Sequence, residues 1–263
     1  MVRKQQVESI YLYLMKKELS IIVICILFLL SCTELKPLAQ EFGRSILETS
    51  TVESIKPTEL EMGAGLKEAL IKGTQIGVNN LSQLGGYSDH PFVTIPFPEE
   101  YAKVADKLRA IGLGNQIDDI ELSLNRAAED AVTEAAPLFI NAIKSMTFQD
   151  VQSILLGGEN AATDFLKRKT SDHLIQAFEP KINKSLEKVN ATKYWNTATN
   201  AYNLIPFVTK VDGNLTNYAT NKAIDGLFIR IAEEEKEIRE NPLERSTDLL
   251  KKVFDYAAFK GVE

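Results

Sequence analysis

The stretch NQIDDIELSLNRAAEDAVT, residues 115–133, decides the fold class. Its apolar residues recur at helical spacing and, with the preceding leucine, make one stripe: Leu113, Ile117, Ile120, Leu124, Ala128 and Ala131. Leu122 and Val132 lie well off that stripe. Because a helix that is apolar on more than one side is usually surrounded by other elements, the sequence predicts that this helix is central in a helical fold.

Prolines, glycines and caps divide the flanking sequence into further helices. They are predicted at about 58–81, 99–111, 138–146, 148–156, 161–189 (with a break at Pro180), 194–204, 215–240 and 246–258. Thr58-x-x-Glu61 and Thr147-x-x-Asp150 are capping boxes. Gly73 and Gly77 share one face of the first helix and would let another helix approach closely. No strand–helix alternation or fixed repeat is present, so we predict an all-α, single multi-helix domain over 58–258.

The main interruption of the helical pattern is the stretch 82–98, which contains Gly85-Gly86 and three prolines. Its Phe92-Val93-Thr94-Ile95 segment has strand-forming residues, and an isolated strand cannot satisfy its backbone groups. One short two-stranded β element, which would pair 92–95 with 208–211, therefore stays open as an alternative to an irregular loop.

The composition excludes several classes of protein. The 263 residues include 30 basic and 36 acidic side chains, so the net charge is −6, and no positive field exists to hold nucleic acid. Two His and two Cys do not suffice for a zinc finger, an iron–sulfur cluster or a disulfide scaffold. We therefore expect neither a metal nor another cofactor.

The first residues read as an export signal. Lys16 and Lys17 precede ten apolar residues, 21–30, which are too few to span a bilayer. The segment ends in Leu29-Leu30-Ser31-Cys32, which resembles the lipobox of bacterial lipoproteins. That resemblance implies cleavage before Cys32 and acylation of its thiol and new amine, which together give a firm membrane anchor.

The domain organisation follows from that cleavage site. We predict a signal peptide over 1–31, with Met15 as the alternative start, a lipidated tether over 32–57, and the helical domain beyond it. Without residues 1–31 the chain has 26 basic and 34 acidic residues, a net charge of −8, so the lipid rather than a basic patch would hold the membrane. By resemblance to enteric lipoproteins, Thr33 after the Cys implies sorting to the outer membrane, facing the periplasm.

Two groups of polar residues are candidates for a site. Asn125, Arg126 and Glu129 lie within one turn of the central helix and can touch each other. Glu234 lies at the edge of the apolar stripe of the last long helix and is flanked by Asp225. A carboxylate there requires a cation, which Arg126 or Lys169 could supply, so the six residues together form one candidate buried polar cluster.

Three other features have simpler interpretations. Gly157 to Asn160 leads into a helix N-terminus, which is either a plain turn or a generic anion site. The run from Lys167 to Lys169 is either a solvated face or a dock for a phosphate or anionic lipid head. Glu233 to Glu240, with pairs such as Glu235–Arg239, is typical of a solvated helix face.

Several stretches in the same order resemble an envelope-protein family known as domain of unknown function 4197: FPEE (97–100), RAIGLG (109–114), ELSLNRAAE (121–129), AATDF (161–165), AIDGLF (223–228) and TDLLKKVF (247–254). The resemblance covers about 60–255. It implies an exported, helix-rich domain, and it implies no catalytic residues.

The sequence therefore favours a lipid-anchored envelope protein that binds something rather than converting it. Its partner would be another envelope protein or a small amphiphile held between helices. The alternative is a periplasmic hydrolase that uses the carboxylates and arginine of the buried polar cluster. A structural spacer, with neither a cleft nor an apolar patch, is a third interpretation.

Overall fold

The computed structural model describes residues 56–98, 102–110, 112, 114–204, 206, 207, 210 and 213–260. The predicted signal peptide, Cys32 and the tether up to residue 55 lie outside these residues. The α-helices of the described part are α1 (Glu59–Leu81), α2 (Ala102–Ala110), α3 (Gly114–Ala131), α4 (Ala135–Lys144), α5 (Phe148–Leu155), α6 (Ala161–Lys188), α7 (Ala191–Asn203), α8 (Leu215–Glu240) and α9 (Asp248–Lys260).

The caps of two helices follow the sequence pattern. The Thr58 hydroxyl accepts the N–H of Glu61, while the Glu61 carboxylate accepts the N–H of Thr58. Thr147 and Asp150 make the same reciprocal pair at the start of α5. Both predicted capping boxes are confirmed.

Helix α3 is central, as its apolar pattern predicts. It packs against α6 and α8, and α1 packs against α4, α8 and α9. Leu124, Ala128 and Val132 are fully buried, whereas Leu122, which the sequence also placed off the stripe, is about half exposed. Buried apolar residues from α1 and from α3 through α9 form one continuous cluster. The prediction of an all-α single domain is confirmed.

The close crossing of α1 and α8 depends on two glycines. A Cβ added at Gly77 would lie 2.9 Å from the Ile231 side chain, and one added at Gly73 would lie 3.3 Å from that of Ile238. The expectation that these glycines admit a neighbouring helix is therefore confirmed, and the neighbour is α8.

The break predicted at Pro180 is absent, because α6 continues through it from Ala161 to Lys188. Proline removes one backbone donor and crowds the carbonyl one turn earlier. Both Pro180 and Gln176 are exposed, so water can solvate the carbonyl that loses its partner. The opposite face of α6, with Phe178 and Ile182, is fully buried against the core, and that packing keeps the helix continuous.

Residues 92–95 form turns and irregular backbone rather than a strand, so the suggested pairing with 208–211 is wrong at this end. Positions 208, 209 and 211 lie outside the described residues. The backbone of the segment is satisfied in another way. The N–H groups of Val93 and Thr94 donate to the His90 carbonyl, and Ile95 bonds to a side-chain amide of α3.

Candidate functional site

The carboxylate of Glu129 holds the 82–98 loop onto α3. Its Oε1 accepts the backbone N–H of Gly85 at 3.1 Å and that of Tyr87 at 3.3 Å. Its Oε2 accepts from the Arg126 guanidinium at 2.6 Å. The Glu129 side chain is buried, while Arg126 is about one third exposed, so the loop and the arginine together satisfy both carboxylate oxygens.

Asn125 performs the same task one turn earlier. Its Oδ1 accepts the N–H of Ile95 at 2.9 Å, and its Nδ2 donates to the carbonyls of Ile95 and Glu121, each at 2.9 Å. The amide thus gives Ile95 both of the bonds that a neighbouring strand would give. Asn125 and Glu129 bond to the loop rather than to each other, which differs from the direct contact that the spacing allowed.

Tyr87 connects the same loop to α8, and sequence reasoning did not single it out. Its hydroxyl donates to the Ala223 carbonyl at 2.7 Å, and the residue is fully buried. Burial, with the nearby charge of Glu129, raises the pKa of Tyr87, so the phenol stays protonated. The only signal in the sequence is an aromatic residue directly after two turn-forming glycines.

The cation that pairs with Glu234 lies on the same helix, α8. The Arg230 guanidinium donates to Glu234 at 2.5 Å and to Glu233 at 2.7 Å. His90 from the loop lies 3.5 Å from the Glu233 carboxylate. Burial raises the pKa of Glu234, and the charge of Arg230 opposes that shift. The prediction that Arg126 or Lys169 supplies the cation is wrong, because the i,i+4 partner on α8 is already in reach.

The six predicted residues do not form one buried cluster. Asn125 and Glu129 are buried at the loop with Arg126 beside them, and Glu234 is buried beside Arg230 at the α1–α8 crossing. Lys169 and Asp225 are exposed. Neighbouring positions on a helix point about 100° apart, so Asp225 faces water while Ile224 enters the core.

Glu235 is a buried group whose position sequence reasoning missed. Its carboxylate accepts the N–H of Ala162 at 3.0 Å and the N–H and hydroxyl of Thr163, both at 2.8 Å. Arg239 donates to the same carboxylate at 2.9 Å. The N-cap residue Asn160 makes no side-chain cap, so Glu235 supplies the anion that this helix N-terminus favours. The anion site considered at 157–160 is thus occupied by the chain's own carboxylate, and this part of 233–240 is not a solvated face.

The three basic residues of the run 167–169 on α6 lie in three different surroundings. Lys167 Nζ lies 5.8 Å from the centre of the Phe228 ring on α8. Arg168 lines a cleft between α5 and α6, and Lys169 lines a groove between α4 and α6. The three cations therefore do not form a single patch.

Two recesses open beside the first half of α6. The α5–α6 cleft has a volume of about 520 Å³ and is lined by Asp150, Ser153, Ile154, Gly158, Glu159, Asn160, Ala161, Asp164, Phe165 and Arg168. The α4–α6 groove has a volume of about 280 Å³ and is lined by Leu138, Asn141, Ala142, Ser145, Lys169, Thr170 and His173. The lining of the cleft is mainly polar, and the lining of the groove is mainly apolar.

The described residues contain no group of three or more metal-ligating side chains close enough to hold a metal ion. None of the helices in the same part of the chain has the length and apolar character needed to cross a bilayer.

Comparison with known proteins identifies the family. The model of DUF4197, described as a protein of unknown function, matches residues 56–255. The chain belongs to the DUF4197 family. No curated protein and no solved structure matches it. The resemblance inferred from the sequence motifs is therefore confirmed.

The DUF4197 match begins just before α1 and ends within α9, so it covers every contact described above. Cys32 and the predicted signal peptide precede the match.

Proposed function

We propose that this DUF4197 protein is a lipid-anchored protein of the bacterial envelope that binds a small molecule beside helix α6. Its acylated Cys32 would hold it to a membrane. By resemblance to enteric lipoproteins, Thr33 after that cysteine makes this the outer membrane, with the helical domain facing the periplasm. The tether and the domain carry a net negative charge, so an attached lipid is the membrane contact that the sequence supports.

The pair of recesses beside α6 is the observation that supports binding. Ligand sites in proteins usually have volumes of about 300–1,000 Å³ and combine apolar walls with a few polar groups. The α5–α6 cleft falls inside this range, and the α4–α6 groove is close to its lower limit. A protein partner, the other kind of ligand expected from the sequence, would instead require an extended exposed surface.

The use of Glu129 favours binding over the hydrolase interpretation. A general acid or base must reach the proton that it transfers. Both oxygens of Glu129 accept hydrogen bonds from groups of the domain itself, and Asn125 is equally engaged with Ile95. Glu129 and Asn125 therefore stabilise the fold by holding the loop, and neither residue lines the recesses beside α6.

The anchor is tested by metabolic labelling with an alkyne analogue of palmitate in cells that express the full chain. We expect label on the wild type and on Cys25→Ala, since Cys25 lies in the discarded signal segment. We expect none on Cys32→Ala. Label that persists on Cys32→Ala would contradict the proposed anchor.

Binding is tested by native mass spectrometry of the full acylated protein released from its own envelope. We expect a retained small molecule that is lost when one recess is filled. Ala142→Phe fills the α4–α6 groove. Gly158→Trp fills the α5–α6 cleft, where a side chain would meet open space. A ligand-free wild type would overturn small-molecule binding and direct attention to protein partners.

A further inference from the structure

The α4–α6 groove has an unusual charge for this protein. It is lined by Lys169 and His173, which lie one helical turn apart, and its lining contains no acidic residue. The whole chain has an excess of six acidic residues. Outside the lining, Asp150 on α5 interacts with Lys169: hydrogen bonds from Thr147 and, more weakly, the charges of Lys169 and Arg168 lower the pKa of Asp150. Asp150 accepts hydrogen bonds from the Thr147 cap and does not line the groove.

Two hydroxyl groups of the groove make internal hydrogen bonds, and the Asn141 side chain is the remaining polar group of the lining. The Thr170 hydroxyl donates to the Leu166 carbonyl at 2.8 Å, and the Ser145 hydroxyl donates to the Ala142 carbonyl at 2.8 Å. Leu138 and Ala142 add apolar surface from α4. The groove lining thus combines apolar surface with two exposed, basic side chains, Lys169 and His173.

Within the described residues, no internal carboxylate forms an ion pair with either basic side chain of the groove. Lys169 makes no salt bridge among the described residues, and its ammonium lies 5.9 Å from the centre of the Phe165 ring. His173 is also exposed and has no ion-pair partner in the same part of the chain. A ligand anion can therefore approach both side chains without displacing an internal carboxylate.

We propose that the α4–α6 groove binds a single-chain fatty acid, with the carboxylate at Lys169 and His173 and the alkyl chain against Leu138 and Ala142. The inference rests on the proposed small-molecule function and names its ligand class. Charge complementarity selects an anion, and the apolar part of the lining selects an alkyl chain over inorganic phosphate. The volume of about 280 Å³ accommodates the head and the first part of the chain.

The test uses the full acylated protein in nanodiscs of neutral phosphatidylcholine and a fatty acid that carries a photoreactive diazirine and an alkyne. We expect crosslinks to peptides that contain 138–145 or 169–173. The double variant Lys169→Gln/His173→Gln should reduce crosslinking about tenfold, as expected for the loss of charge-assisted hydrogen bonds. Arg168→Gln is the matched control, because it removes one cation from the adjacent position of α6 that faces the other recess.

Two further experiments separate the contribution of the carboxylate from that of the alkyl chain. A probe with the same chain that ends in an alcohol should crosslink weakly, and equal crosslinking would overturn recognition by charge. Excess inorganic phosphate should not displace the fatty acid, and full displacement would overturn the role of the alkyl chain. Ala142→Phe should block crosslinking, and circular dichroism checks that each variant is folded.

Failure of this inference is distinct from failure of the proposed function. If native mass spectrometry finds a ligand that Gly158→Trp removes and Ala142→Phe does not, the groove assignment is wrong while the binding function stands. If neither a retained ligand nor a groove crosslink is found, both are wrong.

Discussion

Asn125 takes the place of a β-strand. Its amide presents one acceptor and one donor to Ile95, in the arrangement that a paired strand offers to one residue. The loop can therefore bury Val93 and Ile95 without a sheet. Glu129 repeats the principle with a charged acceptor, which two backbone N–H groups share.

Replacing Asn125 with alanine tests this role. The change leaves the buried N–H and carbonyl of Ile95 without partners, so we expect a loss of about 2–3 kcal/mol in the free energy of unfolding. Urea denaturation measures it. Asn79→Ala is the control, since Asn79 is exposed and its side chain makes no hydrogen bond within the described residues. A loss no larger than that of the control would contradict the role.

Glu61 contributes stability that depends on pH. Hydrogen bonds from Lys252 and Thr58 lower the pKa of Glu61 from 4.5 to about 2. A carboxyl with a lowered folded-state pKa stabilises the protein above its unfolded pKa and loses that contribution as the pH falls. The stability difference between wild type and Glu61→Gln should therefore be largest above pH 4.5 and shrink towards pH 2.

The pH dependence predicted for Glu61→Gln is checked by measuring the midpoint of urea unfolding at several pH values. The control is Glu68→Gln on the same helix, because Glu68 is exposed and makes no ion pair in the described part of the chain. A constant difference between wild type and Glu61→Gln across this range would contradict the linkage.

Helices in this domain meet through small residues and through charges at their ends. Glu235 of α8 supplies the negative charge at the start of α6. Arg245 is buried and donates to the carbonyls of Ile238 and Arg239 at the end of α8. Each charge lies at the helix end whose partial charge it complements. The packing of these helices and the capping of their ends therefore depend on each other.

Two glycines of α1 provide a matched pair. A Cβ at Gly63 meets nothing within 4 Å, whereas one at Gly65 would lie 2.9 Å from Val253 Cγ2 and 3.3 Å from Val253 Cβ. Gly63→Ala should raise the free energy of unfolding by about 0.5–1 kcal/mol, since alanine is the better helix former. Gly65→Ala should lower it by about 1 kcal/mol or more through overpacking.

Thermal and urea unfolding measure both changes. Adding Val253→Ala to Gly65→Ala should remove the steric part of the penalty, although it also removes apolar contacts of α9. If Gly65→Ala is as stable as Gly63→Ala, α1 and α9 do not pack as closely as described.

The whole domain shares one core, which has consequences for its unfolding. Buried residues from α1 and from α3 through α9 belong to one cluster, which includes the sole Trp of the chain, Trp195. Trp195 packs edge-on against Phe97, with ring centres 5.3 Å apart. Because Phe97 lies in the loop and Trp195 lies on α7, the fluorescence of Trp195 reports the tertiary contact between these two segments.

We therefore expect tryptophan fluorescence and far-ultraviolet circular dichroism to give coincident urea transitions. Asn125→Ala should shift both midpoints by the same amount. Separate transitions would mean that the loop and α7 unfold independently of the remaining core.

The sequence alone determined most of the helices and the approximate positions of their ends, because these depend on local chemistry. The stripe of α3, the capping boxes at Thr58 and Thr147 and the small faces at Gly73 and Gly77 act over one to a few turns. Family membership was likewise readable from short motifs. The predicted anchor at Cys32 rests on the sequence alone and stays a prediction.

Only the tertiary structure decided which polar groups meet. Helical spacing indicated that Arg126 can reach Glu129, but it carried no information about Gly85, Tyr87 or Ile95, which lie about 30 to 44 positions away along the chain. The same holds for Glu235. Its charge is typical of a solvated helix face, but in the fold it contacts the N-terminus of α6, which lies more than 70 positions earlier in the chain. The continuity of α6 through Pro180 was also decided by packing, because burial of one face outweighs the loss of one hydrogen bond on the other.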